Sequence, residues 1–197
     1  EVVAAGGTGS VTVNTGVDAA INTVKASASA ATITIKANSA KLDESANVFT
    51  GGTGSADEIQ ITVNAADDTI AAGDTIAWSG FEKITTVGNL GTLDLTTSAG
   101  NVAAGETLTV NANSMTSEVF TFVGTAETAT TPGHFVITTA GTGAHAITLG
   151  SGNDTYTGTG SGATTVIATA GANTITTGSG ADAITLGTGV DIITAGA

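Results

Sequence analysis

Cysteine is absent from this sequence of 197 residues, so no disulfide can staple the chain and no thiolate can serve as a nucleophile or metal ligand. Small extracellular domains often depend on disulfides, and a chain without them needs another source of stability. Stacked strands that hydrogen-bond to one another, together with bound ions, are the candidates that the remaining composition offers.

Positive charge is almost missing as well. The chain has four lysines, no arginine and 17 acidic residues, which gives a net charge of −13. Nucleic-acid binding takes most of its affinity from basic patches, and anionic lipid surfaces attract the same patches, so the charge argues against both partners. Divalent cations suit such a chain because they relieve the repulsion between its carboxylates.

Long apolar runs, aromatic residues and proline are also scarce. No apolar run approaches the roughly 18 residues of a membrane-spanning helix. Aromatic residues make up only 4% of the chain and there is a single proline, which indicates a thin core and turns that rest on glycine. No leader peptide is recognisable at Glu1, and we expect a segment processed or excised from a longer chain.

Recognisable catalytic constellations are missing too. His134 and His145 are the only histidines, and neither an H-E-x-x-H nor a G-x-S-x-G motif occurs. We therefore predict that the chain is not an enzyme and interpret His145 as a turn residue.

Glycine and threonine are abundant, and the tail carries a repeat of nine residues. From Gly141 the units read GTGAHAITL, GSGNDTYTG, GSGATTVIA, TAGANTITT, GSGADAITL and GTGVDIITA, with Thr159 as one extra residue. The shared pattern is G-x-G-x-[D/N]-x-[I/V/Y]-x-x. A fixed short period is typical of a stacked solenoid in which each unit supplies one turn and one very short strand. The predicted fold is all-β, a parallel β-solenoid of the β-roll or β-helix type.

The residue types of each unit indicate a particular chemistry. The glycines allow unusual backbone conformations and let carbonyl groups turn inward. The aspartate adds an anionic oxygen, and the apolar residue two positions later points into the stack because side chains alternate along a strand. Carbonyl and carboxylate oxygens without sulfur or clustered imidazole are a ligand set for calcium.

This pattern resembles the G-x-G-x-D-x-U-x-x nonapeptide, with U a large apolar residue, of the RTX or hemolysin-type calcium-binding proteins. Gly150–Tyr156 and Gly178–Ile184 match it well. The usual double glycine at the start of each unit is mostly missing here. Three units carry His145, Thr164 or Asn173 where the family has aspartate.

In that family two nonapeptides form one coil, so the resemblance implies two stacks of turns. Asp154, Asn173 and Asp191 would stack on one side, and His145, Thr164 and Asp182 on the other. We expect the first stack to hold metal better. An alternative stays open, in which the solenoid keeps its shape through threonine and asparagine hydrogen bonds and binds no metal.

The resemblance implies Ca²⁺ as the cofactor, held by the turns. Earlier copies of the motif add candidates at Asp57, after one inserted residue, and in two compressed units that begin Asp68-Thr-Ile70 and Asp74-Thr-Ile76. The complete set of candidate metal ligands is Asp154, Asn173, Asp191, Asp182, Gly150, Gly152, Gly187, Gly189, Gly178, Gly180, Asp57, Asp68 and Asp74.

Three regions are predicted within one continuous solenoid. Residues 1–50 form an N-terminal β-rich segment, 51–140 form irregular rungs with loops, and 141–197 form the nonapeptide β-roll. Trp78–Ile84, with the only tryptophan, is interpreted as a core plug or cap of the solenoid rather than as a ligand site.

The resemblance to RTX surface proteins implies a structural role outside a bacterial cell. We expect an S-layer-like component that is exported by type I secretion, folds when calcium binds, and self-associates into a lattice or filament. Anchoring to a surface polysaccharide would use regions beyond this chain. Two alternatives remain: a stalk or binding segment of an RTX adhesin, and the calcium-binding β-roll of a secreted RTX hydrolase.

Overall fold

A computed structural model describes residues 2–3, 7–15, 23–42, 46–63, 68–75, 77–88, 90–127, 130 and 132–196. The described part of the chain is nearly all β, with 45% strand and 4% helix. Numbered in chain order, the elements are β1 (Val2–Val3), β2 (Ser10–Asn14), β3 (Thr23–Lys25), β4 (Thr32–Asn38), α1 (Ser39–Leu42), β5 (Val48–Thr50), β6 (Glu58–Thr62), β7 (Asp68–Ile70), α2 (Ala72–Thr75), β8 (Trp78–Ser79), β9 (Lys83–Val87), β10 (Leu93–Thr96), β11 (Thr107–Ala112), β12 (Phe120–Val123), β13 (His134–Thr139), β14 (His145–Thr148), β15 (Thr155–Gly158), β16 (Thr164–Ala168), β17 (Thr174–Thr176), β18 (Ala183–Leu186) and β19 (Ile192–Thr194).

The strands form three parallel sheets. The longest has nine strands in the order β2, β4, β6, β9, β11, β13, β15, β17, β19. A six-stranded sheet runs β7, β10, β12, β14, β16, β18, and a four-stranded sheet runs β1, β3, β5, β8. Chain neighbours lie in different sheets, and each strand pairs with the corresponding strand of the next coil. The predicted parallel β-solenoid is confirmed.

Alternation of side chains builds the core inside this coil. In β13, Phe135, Ile137 and Thr139 are buried while the residues between them are half-buried. β-Branched and aromatic residues suit such positions because they pack well on a pleated surface. Trp78 is also buried and its ring lies 5.9 Å from that of Phe49. It fills the core where the four-stranded sheet ends, which agrees with its interpretation as a plug.

The coils of the tail are shorter than those in the middle of the chain. In the middle of the chain, Val110 pairs with Ile137 of the next coil. In the tail, Tyr156 pairs with Ile175, and Ile175 pairs with Ile193, so less chain lies between paired strands. Two nonapeptides therefore form one coil of the tail. Among the described strands, β6, β7 and β8 form the one coil that passes through all three sheets, whereas the coils from β9 onward alternate between two.

One predicted repeat unit is wrong. The sequence pattern places Asp74 in a compressed unit of a turn followed by a strand, but this residue lies in the helical turn α2. Its Oδ2 accepts the backbone N–H of Ala71 at 3.0 Å, which stabilises the helical turn. An aspartate near the start of a helix competes with the turn-and-strand arrangement by bonding to local backbone N–H groups.

Candidate functional site

The predicted ligand side chains recur at one position, immediately before a strand of the nine-stranded sheet. The pairing register aligns Asp57 with Glu82, and farther along aligns Asp154 with Asn173 and Asp191. Leu108 and Phe135 occupy this position in the intervening coils. We call this row the first ladder. The predicted stack of Asp154, Asn173 and Asp191 thus exists, and Asp57 belongs to the same row.

Each polar side chain of the first ladder accepts a backbone N–H from the preceding coil. Asp57 Oδ1 accepts from Ile33 at 2.7 Å, and Glu82 Oε2 accepts from Asp57 at 2.8 Å. Asp154 Oδ1 accepts from Phe135 at 2.8 Å. Asn173 Oδ1 accepts from Asp154 at 3.0 Å, and Asp191 Oδ1 accepts from Asn173 at 2.9 Å. The side chains therefore join successive coils.

A second ladder lies before the strands of the six-stranded sheet. The register aligns His145 with Thr164 and, through the next coil, with Asp182. Asp68 occupies the same position at the other end of this sheet. Asp182 Oδ1 accepts the Thr164 N–H at 2.9 Å, and His145 Nδ1 accepts the Phe120 N–H at 3.3 Å. Asp68 instead accepts a hydrogen bond from the Ser39 hydroxyl.

Burial makes these hydrogen bonds necessary. Asp57, Asp154 and Asn173 are each at most 1% exposed. A buried polar group without a partner costs several kcal/mol, and an unpaired charge costs more. Asp57 meets this requirement fully, because its Oδ2 also accepts the Gly52 N–H at 2.6 Å.

The glycines of the turns serve mainly to let coils approach. A Cβ on Gly178 would lie 1.8 Å from the carbonyl oxygen of Gly160, and one on Gly152 would lie 2.0 Å from that of Gly133. Among the six glycines named as candidate ligands, only Gly189 has a positive φ, of 136°. Several turn carbonyls already accept hydrogen bonds, as Gly160 does from the Ser179 N–H at 3.0 Å.

Two buried carboxylates at the start of the repeats are incompletely bonded. Asp154 Oδ2 and Glu127 Oε1 are both buried and have no hydrogen-bond partner. Burial raises the pKa of Asp154 to about 6 from its ordinary 3.8; the Phe135 N–H, the charge of His134 and the Gly150 N–H oppose this rise, and the charge of Glu127 adds to it. Burial also raises the pKa of Glu127, although the backbone N–H groups of Val102 and Gly133 donate to its carboxylate.

The side-chain oxygens of the ladder residues are partly occupied by hydrogen bonds. At Asn173, Asp182 and Asp191, one side-chain oxygen is engaged by a backbone N–H of the neighbouring coil. Within the described part of the chain, no three or more histidine or acidic side chains gather in a group that could hold a metal. A calcium ion would need backbone carbonyls in addition, which is usual for Ca²⁺.

Two residues of these sites are not predicted by the repeat pattern. Glu82 has a detectable signal, because Glu82-Lys83-Ile84 repeats the acid-x-Ile order that Asp57-Glu58-Ile59 has one coil earlier. Glu127 has no such signal in the sequence, because it lies in a loop outside any repeat. It comes close to the first ladder only in the folded chain.

Comparison with protein-family models, with curated proteins and with solved structures gave no match. Among the described residues, neither helix has the length and apolar character that would let it cross a membrane.

Proposed function

We propose that this chain is a structural β-solenoid of a secreted, bacterial cell-surface assembly, that its turns bind Ca²⁺, and that calcium binding is coupled to folding. The observation that carries the proposal is the first ladder, in which acidic or amide side chains recur at one buried position of successive coils. Glycines bring the backbone carbonyls of adjacent turns into contact beside them.

Charge explains why an ion would favour the coiled state. The chain carries −13, and the coil aligns acidic and amide side chains of successive coils in rows. A bound Ca²⁺ supplies positive charge to several oxygens at once. Because these oxygens converge only in the coil, an ion that binds there stabilises the coil by mass action. A calcium-poor cytosol would leave the chain loosely folded for export.

The exposed apolar residues at one end of the solenoid favour self-association. Leu186, Val190 and Ile192 in the last coil are exposed to 44%, 82% and 63%. The outer edges of β18 and β19 carry backbone groups that can pair with another strand. We propose that copies of the chain associate through such ends, as a lattice or filament requires.

The test is a calcium titration of the 197-residue chain followed by far-UV circular dichroism and thermal melting. At a Ca²⁺ concentration about 100 times Kd, binding should add about 2.7 kcal/mol to the folded state. For a chain of this size that corresponds to a rise in Tm of roughly 5–10 °C. We expect a chelator to reverse the change, and Mg²⁺ at equal concentration to produce much less of it.

Identical β signal and Tm in chelator, Ca²⁺ and Mg²⁺ would contradict the proposal. The ladders would then be purely hydrogen-bonded and the protein a metal-free solenoid. Sedimentation velocity on the same samples tests association. A single monomeric species at all calcium and protein concentrations would remove the assembly part of the proposal.

A further inference from the structure

Gly124 and Glu127, which follow β12, lie directly against the first aspartate turn of the repeats. Ser151 Oγ donates to the Glu127 carbonyl oxygen at 2.9 Å. A Cβ added to Gly150 would lie 3.2 Å from the Cβ of Glu127 and 2.9 Å from the carbonyl oxygen of Gly124. Glycine at 150 therefore lets the repeat turn seat against this loop.

Each of these two segments contributes one buried carboxylate to the contact. Glu127 is 4% exposed and Asp154 is 1% exposed. One oxygen of each accepts no hydrogen bond, whereas Asp57, at the corresponding position of an earlier coil, has both oxygens bonded. The segments that carry the two carboxylates are in contact at Gly150 and Ser151.

The imidazole of His134 lies beside Asp154, where a positive charge on the ring lowers the pKa of that carboxyl. His134 Nδ1 accepts the Asn153 N–H at 3.0 Å. Two like charges with unpartnered oxygens in a buried site are unfavourable unless a cation or a proton lies between them.

We propose that Glu127 and Asp154 together hold one divalent cation, with Ca²⁺ the best match, where the irregular coils meet the nonapeptide coils. Both unpartnered atoms are hard carboxylate oxygens, and the carbonyl oxygens of Gly124 and Gly133 lie against Gly150 and Gly152 of the adjoining turn. Such a set of oxygens suits Ca²⁺, which accepts many oxygen ligands in irregular geometry, better than Mg²⁺.

This site rests on the proposed calcium binding. It places the main contribution of calcium to stability at the junction of the long coils and the β-roll. One ligand comes from a loop outside the repeats, so the ion would fasten the long coils to the β-roll. Asn173 and Asp182 keep their hydrogen-bonding role between coils.

The experiment compares the wild-type chain with Glu127→Gln by calorimetric titration with Ca²⁺ and by melting in chelator and in Ca²⁺. We expect Glu127→Gln to bind Ca²⁺ at least about tenfold more weakly and to lose most of the calcium-dependent rise in Tm. In chelator we expect it to melt no lower than the wild type, because glutamine removes a buried charge and keeps one acceptor oxygen for the Val102 and Gly133 N–H groups. A merely structural role for Glu127 would instead lower the Tm in chelator.

Two matched variants separate the possible outcomes. Glu106→Gln removes the same charge from an exposed side chain and should behave like the wild type. Asp182→Asn changes a candidate ligand of the second ladder, so its calcium response reports on the repeat turns and not on the Glu127 site. If Asp182→Asn loses the response and Glu127→Gln keeps it, calcium binds the repeats and the Glu127 site is wrong, while the proposed function stands.

A wild-type chain without any calcium response overturns both proposals. If that chain also gains stability as the pH falls through 6, Glu127 and Asp154 share a proton instead of a cation. In that case a proton, and not a metal ion, is the partner of the two oxygens.

Discussion

At the scale of single residues, a carboxylate at a ladder position accepts backbone N–H groups that a carbonyl oxygen would otherwise accept. Asp57 shows this most completely, because its two oxygens accept the N–H groups of Ile33 and Gly52 and the side chain is fully buried. Hydrogen bonds to a charged acceptor are stronger than neutral ones. The aspartate therefore contributes to stability whether or not a metal binds elsewhere.

This role predicts a cost for replacing Asp57 by asparagine. The amide keeps one acceptor oxygen but presents an NH₂ group to the second backbone donor, which leaves a buried N–H unsatisfied. We expect Asp57→Asn to lower the free energy of unfolding by about 1–3 kcal/mol, measured by urea denaturation in chelator.

Asp94→Asn is the matched control, since Asp94 is half-buried on β10 and points away from the core. It should change the free energy of unfolding by no more than about 0.5 kcal/mol. Equal losses for the two variants would mean that net charge, and not the paired hydrogen bonds, governs stability.

His145 gives the second ladder a dependence on pH. Burial lowers the pKa of His145 below its ordinary 6.5, and its Nδ1 accepts the Phe120 N–H. The unfolded chain therefore binds a proton at His145 more readily than the folded chain does. The contribution of the neutral ring is fully present above about pH 6.5 and is lost as the pH falls below it.

We expect His145→Asn to reduce this acid sensitivity, because asparagine retains an acceptor oxygen and does not titrate. The measurement is the difference in free energy of unfolding between variant and wild type from pH 7 to pH 5. Asp154 contributes to the pH dependence of stability with the opposite sign, since its raised pKa favours the folded state as the pH falls. The difference between the two proteins isolates His145, and a difference independent of pH would contradict its assignment.

At the scale of elements, the turns determine how closely coils stack. In the tail, turn glycines lie against backbone atoms of the preceding turn, as Gly160 does against Gly141 and Gly180 against Gly162. Larger residues fit between these glycines because their side chains point outward. Serine or threonine commonly occupies that position, and Ser161 and Ser179 donate backbone N–H groups to the previous glycine carbonyls.

Adding one methyl group to such a turn should lower the free energy of unfolding. The Cβ of Gly160→Ala would lie 1.9 Å from the carbonyl oxygen of Gly141, so the two coils must separate. We expect a loss of about 1–3 kcal/mol or more in the free energy of unfolding, measured by urea denaturation. Gly73→Ala is the control, because a Cβ at Gly73 meets no atom within 4 Å. A Gly160→Ala chain as stable as this control would show that the turns can spread freely.

At the scale of the whole molecule, the tail could be predicted from sequence and the long coils could not. The period of nine fixes both the pairing register and the alignment of Asp154 with Asn173, because each coil repeats its own local pattern. In the long coils, Leu108 and Phe135 replace the acid, and the strands they precede pair across loops of different length. No local pattern encodes those loops, so the four-stranded sheet and the position of Glu127 emerge only from long-range packing.

The short coils of the tail have a consequence for the order of folding. Paired strands of the tail are separated by only two nonapeptides, whereas a longer segment separates β11 from β13. Closing a longer loop costs only a few tenths of a kcal/mol more, but every additional ordered residue costs about 1–2 kcal/mol. A solenoid folds by nucleating on one coil and extending to its neighbours. We therefore expect the nucleus to form in the tail and to grow toward β2, which is opposite to the direction in which a ribosome releases the chain.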